Sequence, residues 1–212
     1  MIEFYDSLFR FWAVGLFMLT AALFVRDNGW RSSAIYAGLS AVGGAGYLMT
    51  AQPDTVEHLG ALAHIFALLA GFAPTFVWLF ALSQFEDNFR IGRLHIAVLM
   101  VYGLLWFLDY EPLFSVPIVD EVYLDGPEAV MRITLLAHMI FVAWRGRADD
   151  LLERRRRFRM IVVVLMIGFT GSIVVIETWF RELTFLPEMG LLQAFAFLLF
   201  GMALAWIGLR TQ

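Results

Sequence analysis

The chain has 212 residues, of which 61% are hydrophobic, and its formal net charge is −4. Soluble domains contain about 45–50% apolar residues, so this composition, with a mean hydropathy of +0.76, indicates a membrane protein. The chain contains no cysteine, which excludes disulfides, thiolate metal sites and c-type haem attachment. Every basic residue is arginine. The absence of lysine excludes a retinal Schiff base and the lysine of a P-loop.

Seven hydrophobic runs approach the roughly 20 residues that an α-helix needs to cross a bilayer. In chain order they cover residues 5–25, 32–51, 58–83, 94–109, 128–145, 158–178 and 188–209. The first run is too long for the core of a signal peptide and lacks a small-residue cleavage pattern, so we predict a retained span. The sequence therefore predicts an all-α, polytopic membrane protein with seven transmembrane helices in one domain, residues 1–212.

The charges between the runs alternate along the chain. Most arginines fall after odd-numbered runs: Arg26, Arg31, Arg90, Arg93, Arg145, Arg147, Arg154, Arg155, Arg156, Arg157, Arg159 and Arg210. The other connections carry acids: Asp54, Glu57, Asp109, Glu111, Asp120, Glu121, Asp125, Glu128, Glu177, Glu182 and Glu188. Arginine-rich loops remain in the cytoplasm. We therefore predict a multi-pass membrane protein with its N-terminus outside and its C-terminus in the cytoplasm.

The second run is rich in small residues, which let helix backbones approach closely in lipid. Ser33, Ala37, Ala41 and Ala45 recur every four residues, with several glycines beside them. We predict that this helix lies inside the bundle.

Prolines mark two further features. The third run contains Pro74, which predicts a tilt or kink. The connection from Asp109 to Glu128 contains Pro112, Pro117 and Pro127 and is expected to form a capped loop or a short re-entrant turn.

A dense arginine segment precedes the sixth run and is expected to extend that helix into the cytoplasm. Asp150 is placed as N-cap and Glu153 three residues later, as in a capping box. The segment's candidate docking residues are Arg154, Arg155, Arg156, Arg157 and Arg159. They are interpreted as an anchor for anionic lipid headgroups or as a docking surface for a protein partner. Direct binding of nucleic acid is not expected.

Ionisable residues inside membrane spans are costly and are treated as functional candidates. The candidate ligand-binding residues share the predicted outer half of the spans: Asp6, Arg10, His58, His64, Arg132, Glu177 and Gln193. If their helix faces converge, Arg10 and Arg132 are placed to hold an anion. The alternative is internal pairing, for example of Arg132 with Glu128 or Glu177.

The four histidines raise the question of haem. His58, His64, His95 and His138 are present. His64 lies about 9 Å and His138 about 15 Å below the start of its predicted helix. Their depths differ by roughly 6 Å before tilt, at about 1.5 Å per residue, which is awkward for two axial ligands of one iron. No HExxH motif, phosphate-binding loop or nucleophile elbow is present. We expect no haem or other cofactor, no metal site and no enzymatic activity.

Two charged segments resemble a known family. They are residues 78–90, WLFALSQFEDNFR, and residues 147–159, RADDLLERRRRFR. Both resemble the membrane half of bacterial AraC-type transcription regulators that carry a multi-helix N-terminal sensor. In that family a helix-turn-helix domain follows the seventh helix, whereas this chain ends at Gln212. The resemblance implies a stimulus-sensing domain of a bacterial inner membrane, without its own DNA-binding output.

Three functions follow as hypotheses. The first is a non-enzymatic sensor-like membrane protein with an outward-facing polar pocket and an arginine-rich cytoplasmic loop. The second is an accessory or structural subunit of a larger respiratory or photosynthetic membrane complex, or a homo-oligomer. The third is a b-type membrane cytochrome, which would show a Soret band dependent on His64 or His138.

Overall fold

The structure is a computed structural model, and it describes residues 1–85, 89–109, 121–145, 153–179 and 186–210. These residues form eight α-helices and contain no β-strand. The helices are α1 (Ile2–Asn28), α2 (Ser32–Thr50), α3 (Pro53–Leu59), α4 (Leu62–Phe85), α5 (Arg93–Asp109), α6 (Glu121–Arg145), α7 (Glu153–Trp179) and α8 (Pro187–Arg210). The predicted all-α class is confirmed for the described chain.

Within the described part of the chain, four stretches are long and apolar enough to cross a membrane: Ile2–Asp27, Leu62–Phe85, Gly126–Arg145 and Pro187–Trp206. They lie in α1, α4, α6 and α8. Two shorter apolar helices, Arg93–Leu108 and Met160–Ile176, lie in α5 and α7. The seven hydrophobic runs thus all coincide with helices, and four of these helices meet the length and hydropathy that a span requires.

The third predicted run is wrong at its beginning. A single helix was expected from His58, but α3 ends at Leu59 and α4 begins at Leu62. Gly60 separates them with a φ of +53°, in the left-handed region that favours glycine. Its N–H donates to the carbonyl oxygens of Val56 and Glu57, which closes the end of α3. Hydropathy alone does not reveal this break, because it takes no account of the backbone angle of a glycine.

The start of the fifth predicted helix is also earlier than expected. The loop was predicted to continue to Glu128, but α6 begins at Glu121 and contains Pro127 near its N-terminal end. A proline there removes one backbone donor and leaves the rest of the helix bonded. The remainder of the predicted loop, residues 110–120, lies outside the described residues. Pro74 likewise lies within the continuous helix α4.

The chain divides into two compact units, Met1–Phe80 with Val175–Gln212, and Ala81–Val174. In the first unit α1 packs against both α2 and α8, and α2 contacts α3. The rings of Phe17 and Phe197 lie 6.0 Å apart, and Tyr47 stacks on Phe197 at 5.4 Å. These aromatic contacts, with the fully buried Leu48 and Thr20, form the centre of the first unit.

Helix α2 packs closely on two neighbours in the first unit, as its small residues predicted. A Cβ atom added to Gly46 would lie 2.6 Å from the carbonyl oxygen of Phe66 on α4, and one on Gly43 would lie 2.9 Å from that of Leu69. On the α1 side, a Cβ at Gly44 would lie 3.3 Å from the Phe17 ring. The predicted interior position of α2 is therefore confirmed within this unit.

The second unit is built from α5, α6 and most of α7. Helices α5 and α6 pack together, and a Cβ at Gly171 on α7 would lie 3.3 Å from Leu136 on α6. Its buried apolar side chains include Tyr102, Leu135, Met139 and Val163.

Candidate functional site

The first unit holds a buried ion pair near the N-terminal end of α1. Arg10 Nε donates to Asp6 Oδ2 over 2.9 Å, and the side chains are only 7% and 6% exposed. The i,i+4 spacing places both on one helix face. Arg10 lies about 12 Å along the axis from the start of α1, at 1.5 Å per residue. The pair therefore reaches into the stretch that is long enough to span a membrane.

The segment between α2 and α3 closes over this pair. Gln52 Nε2 donates to Asp6 Oδ2, and Gln52 Oε1 accepts from Thr55 Oγ1 over 3.4 Å. Because an amide both donates and accepts, Gln52 connects the carboxylate on α1 to the short helix α3. Gln52, which lies between α2 and α3, thus links polar residues of α1 and α3.

Helix α8 supplies the other contacts. Arg10 Nη2 donates to the carbonyl oxygen of Gly190 over 3.3 Å. One turn further along α8, Gln193 Nε2 donates to the Tyr47 hydroxyl over 2.7 Å. The same Tyr47 ring stacks on Phe197. The site, hereafter the α1 polar cluster, consists of Asp6, Arg10, Tyr47, Gln52, Thr55, Gly190 and Gln193.

Two atoms of the α1 polar cluster lack a hydrogen-bond partner among the described residues. They are Asp6 Oδ1 and Arg10 Nη1, both buried. Buried polar atoms in folded proteins are nearly always hydrogen-bonded, and each one that is not costs about 1–3 kcal/mol. The carboxylate and the guanidinium balance each other's charge, so the cluster as a whole is neutral and offers both a donor and an acceptor.

The predicted candidate residues are only partly brought together. Asp6, Arg10 and Gln193 lie in the α1 polar cluster. Arg132 belongs to the second unit, where its Nη2 donates to Glu128 Oε2 four residues earlier on α6. Of the two internal partners considered for Arg132, the structure shows Glu128. The side chain of Glu177 lies outside the described residues.

Three of the four histidines are exposed, and His95 is half-buried. His58 is in the last turn of α3, and His64 and His138 are exposed on α4 and α6. Each has further interactions within the described chain. His95 Nδ1 accepts the backbone N–H of Gly92 over 2.9 Å, which caps the start of α5. Among the described residues, no three His, Asp or Glu side chains are grouped to hold a metal ion.

The arginine segment that precedes the sixth run is helical from Glu153 onward, as predicted for an extension of the sixth helix. The expected cap, Asp150, lies outside the described residues, and so do the side chains of the five candidate docking arginines.

Sequence reasoning missed four members of the α1 polar cluster: Tyr47, Gln52, Thr55 and Gly190. Gln52 had one available signal, since it directly follows a hydrophobic run, but nothing in its spacing connects it to Asp6. Gly190 contributes through its carbonyl oxygen, which no side-chain pattern reveals.

The cluster's chemistry is hydrogen bonding at a neutral, buried pair. We find no match for the chain in comparisons with family models, with curated proteins or with solved structures. The resemblance of two charged segments to AraC-type regulators thus stays an expectation from the sequence.

Proposed function

We propose that the chain is an integral protein of a bacterial inner membrane that crosses it seven times, with the N-terminus outside. Four helices already have the required length and hydropathy. α2 is shielded by α1 and α4 at its glycines, and α5 and α7 each contain a shorter apolar stretch. The arginines all follow odd-numbered runs except Arg10, Arg132 and Arg181, which supports this orientation.

Because the chain has no cysteine, single-cysteine labelling tests this topology cleanly. Trp30, between α1 and α2, is 83% exposed, and Glu57 on α3 is exposed. In intact spheroplasts a membrane-impermeant maleimide should label Glu57→Cys and not Trp30→Cys, and in lysed membranes it should label both. Labelling of Trp30→Cys before lysis would show that the proposed orientation is wrong.

The function that these features support best is that of a non-enzymatic, sensor-like membrane domain. The observation that carries it is the α1 polar cluster, in which a buried ion pair is connected to α3 and α8 near one end of a spanning helix. A stimulus that changed this pair would favour one packing of these helices over another, as a two-state sensor requires. The arginine-rich loop before α7 is then the cytoplasmic part that responds.

Coupling between the two ends can be tested without knowing the stimulus. The double variant Asp6→Asn, Arg10→Gln removes both charges, and hydrogen exchange of residues 146–160 reports the cytoplasmic loop. A changed exchange rate in the loop is expected. Leu23→Ala is the control, because it destabilises a buried position of α1 remote from the α1 polar cluster. Equal loop exchange in the double variant and the wild type would end the sensor proposal.

A second candidate function, an accessory subunit, is favoured by one surface of α8. Leu192, Phe195, Leu199, Met202, Trp206 and Leu209 are all exposed. They recur at alternating intervals of three and four residues, the seam spacing of packed helices. A protein partner or a second copy would bury this seam, whereas lipid would cover it in an isolated protein.

Photocrosslinking in native membranes distinguishes these cases. A benzoylphenylalanine at position 199, which is 50% exposed, is compared with one at position 104 on α5, which is 57% exposed. A protein adduct at position 199 alone supports the subunit function. The absence of a protein adduct at position 199, or equal adducts at both positions, counts against it.

A further inference from the structure

Helix α3 has little apolar packing of its own. It has only seven residues, and none of its described side chains is buried. Thr55, Val56 and Leu59 are half-buried, and Glu57 and His58 are exposed. The helices α1, α2 and α4, by contrast, each bury several side chains. Because segments with few buried apolar contacts open at the lowest free energy, we expect α3 to move away from the first unit more readily than these three helices.

The C-terminal end of α3 is a glycine hinge. The Gly60 N–H donates to the carbonyl oxygens of Val56 and Glu57 in α3, and its own carbonyl oxygen accepts from the Ala63 N–H in α4. Its φ of +53° is an angle that residues with a Cβ rarely adopt. A rotation at this one residue therefore changes the direction of α3 relative to α4.

The N-terminal end of α3 is fastened to the ion pair by Gln52. Its Nε2 donates to Asp6 Oδ2, its Oε1 accepts from Thr55 Oγ1, and its backbone carbonyl accepts from the Val56 N–H. A hydrogen bond that water can replace contributes little net free energy. This connection can therefore break wherever water reaches it.

The closed arrangement leaves two polar atoms unsatisfied. The side chains of Asp6 and Arg10 are only 6% and 7% exposed, and Asp6 Oδ1 and Arg10 Nη1 have no hydrogen-bond partner among the described residues. Each such atom is costly when it is buried. Movement of α3 away from the pair would let water reach both atoms, and this gain offsets the loss of the Gln52 hydrogen bonds and of the half-buried contacts of α3.

We propose that α3 is a lid over the Asp6–Arg10 pair, which is closed by Gln52 and opens about Gly60. The closed lid shields the pair, and the open lid admits water to Asp6 Oδ1 and Arg10 Nη1. Since each state satisfies what the other leaves unsatisfied, both are accessible to the folded protein. The lid goes beyond the sensing role and does not depend on it, because it controls the access of any polar solute to the pair.

Gly60→Ala tests the lid, and Gly29→Ala is the matched control. The φ angles of the two glycines are +53° and +63°, and a Cβ at either position would contact nothing within 4 Å. Alanine should therefore introduce a similar backbone strain at both positions. Opening of the lid releases the strain at Gly60. Gly29 follows α1, so strain there gives α3 no reason to move.

A water-soluble carbodiimide with glycine ethyl ester measures access to the Asp6 carboxylate, and peptide mass spectrometry locates the product. The protein is labelled in detergent micelles, where both membrane faces are accessible and the proposed orientation does not affect the result. Glu3, exposed on the same helix, is the internal reference. Asp6 should react more slowly than Glu3 in the wild type, about tenfold faster in Gly60→Ala, and at the wild-type rate in Gly29→Ala.

Thr55→Ala is a second variant, which keeps the test decisive if Gly60→Ala does not fold. It removes a hydrogen bond to Gln52 and leaves the bond from Gln52 to Asp6 in place, so the labelling of Asp6 should rise about twofold to fivefold. Labelling of wild-type Asp6 as fast as Glu3 would show that no closed lid exists. Wild-type rates in both lid variants, or an equal increase in Gly60→Ala and Gly29→Ala, would also overturn the proposal.

Discussion

Asp6 and Arg10 are each buried and each bonded to the other, which makes their individual contributions inseparable. Removing one partner leaves an uncompensated charge in a poorly solvated place, whereas removing both leaves two smaller polar groups. Gln52 adds a third participant, because its amide donates to the oxygen that also accepts from Arg10. The pair is thus best examined by a double-mutant cycle.

We predict that Asp6→Asn and Arg10→Gln each destabilise the protein by about 3–5 kcal/mol. The double variant should lose less free energy of unfolding than the two single variants lose together, because it leaves no unpaired charge. Reversible unfolding in mixed micelles measures all four free energies. Losses that simply add would show that the two charges do not interact.

Gln52→Ala is predicted to cost less, about 1–2 kcal/mol, because the ion pair survives while Asp6 Oδ2 loses one donor. The loss should come with faster hydrogen exchange of α3, whose Thr55 depends on Gln52 for its side-chain hydrogen bond. Thr134→Ala is the control, because the Thr134 hydroxyl donates to the carbonyl oxygen of Val130 within its own helix. If hydrogen exchange in α3 is unchanged in Gln52→Ala, Gln52 does not connect α3 to α1.

At the scale of the elements, the glycines of α2 let its backbone lie close to α1 and α4. Its glycines lie against the carbonyl oxygens and Cβ atoms of α4 and the ring of Phe17 on α1. In lipid such packing takes the place of the hydrophobic effect, since lipid tails are as apolar as the side chains they would replace.

A graded series of alanine substitutions follows from these distances. Gly46→Ala should be the most destabilising, by about 1–3 kcal/mol, because its Cβ would meet backbone at 2.6 Å. Gly44→Ala should cost less, since its Cβ meets the Phe17 side chain at 3.3 Å, which can shift. Gly168→Ala should cost nothing, as no atom lies within 4 Å. Thermal midpoints in detergent test the order, and a Gly46 variant as stable as the Gly168 variant would contradict it.

At the scale of the whole molecule, charge is sorted along the chain, and exposed apolar residues occur on most of the described helices. The exposed apolar residues extend over α1, α4, α5, α6, α7 and α8, as expected where lipid replaces water. Arginines after the odd-numbered runs would then all meet the cytoplasmic leaflet, which is rich in anionic lipid.

The arginine segment at the start of α7 should retain anionic lipids. Replacing Arg154, Arg155, Arg156 and Arg157 by glutamine is predicted to weaken retention of phosphatidylglycerol, since each arginine near the surface contributes about 1 kcal/mol. Native mass spectrometry counts the lipids that remain bound to the 24.1 kDa chain. Phosphatidylcholine provides the control, and its retention should not change. Equal loss of both lipids would point to a general structural effect.

An absorption spectrum of the same sample tests the cytochrome hypothesis. We expect no Soret band, with or without added haem. The predicted depths of His64 and His138 in the membrane differ too much for both to be axial ligands of one iron. A Soret band lost in His64→Ala or His138→Ala would reverse that expectation.

The sequence by itself determined the helical class and the approximate position of each apolar helix, because a span must be about 20 residues long and apolar. It also indicated which helix packs by small residues, since that depends on side-chain size alone. It placed Asp6 and Arg10 on one face, because i,i+4 neighbours meet on any helix.

Only the tertiary structure decided what surrounds that pair. Gln52 reaches Asp6 across 46 residues, and Gly190 reaches Arg10 across 180. Neither contact can be predicted from the spacing of residues in the sequence, because it depends on which helix ends meet. The break at Gly60 was equally hidden, since hydropathy measures transfer into lipid and is insensitive to the backbone angle of one glycine. The buried, neutral character of the α1 polar cluster is therefore a property of packing.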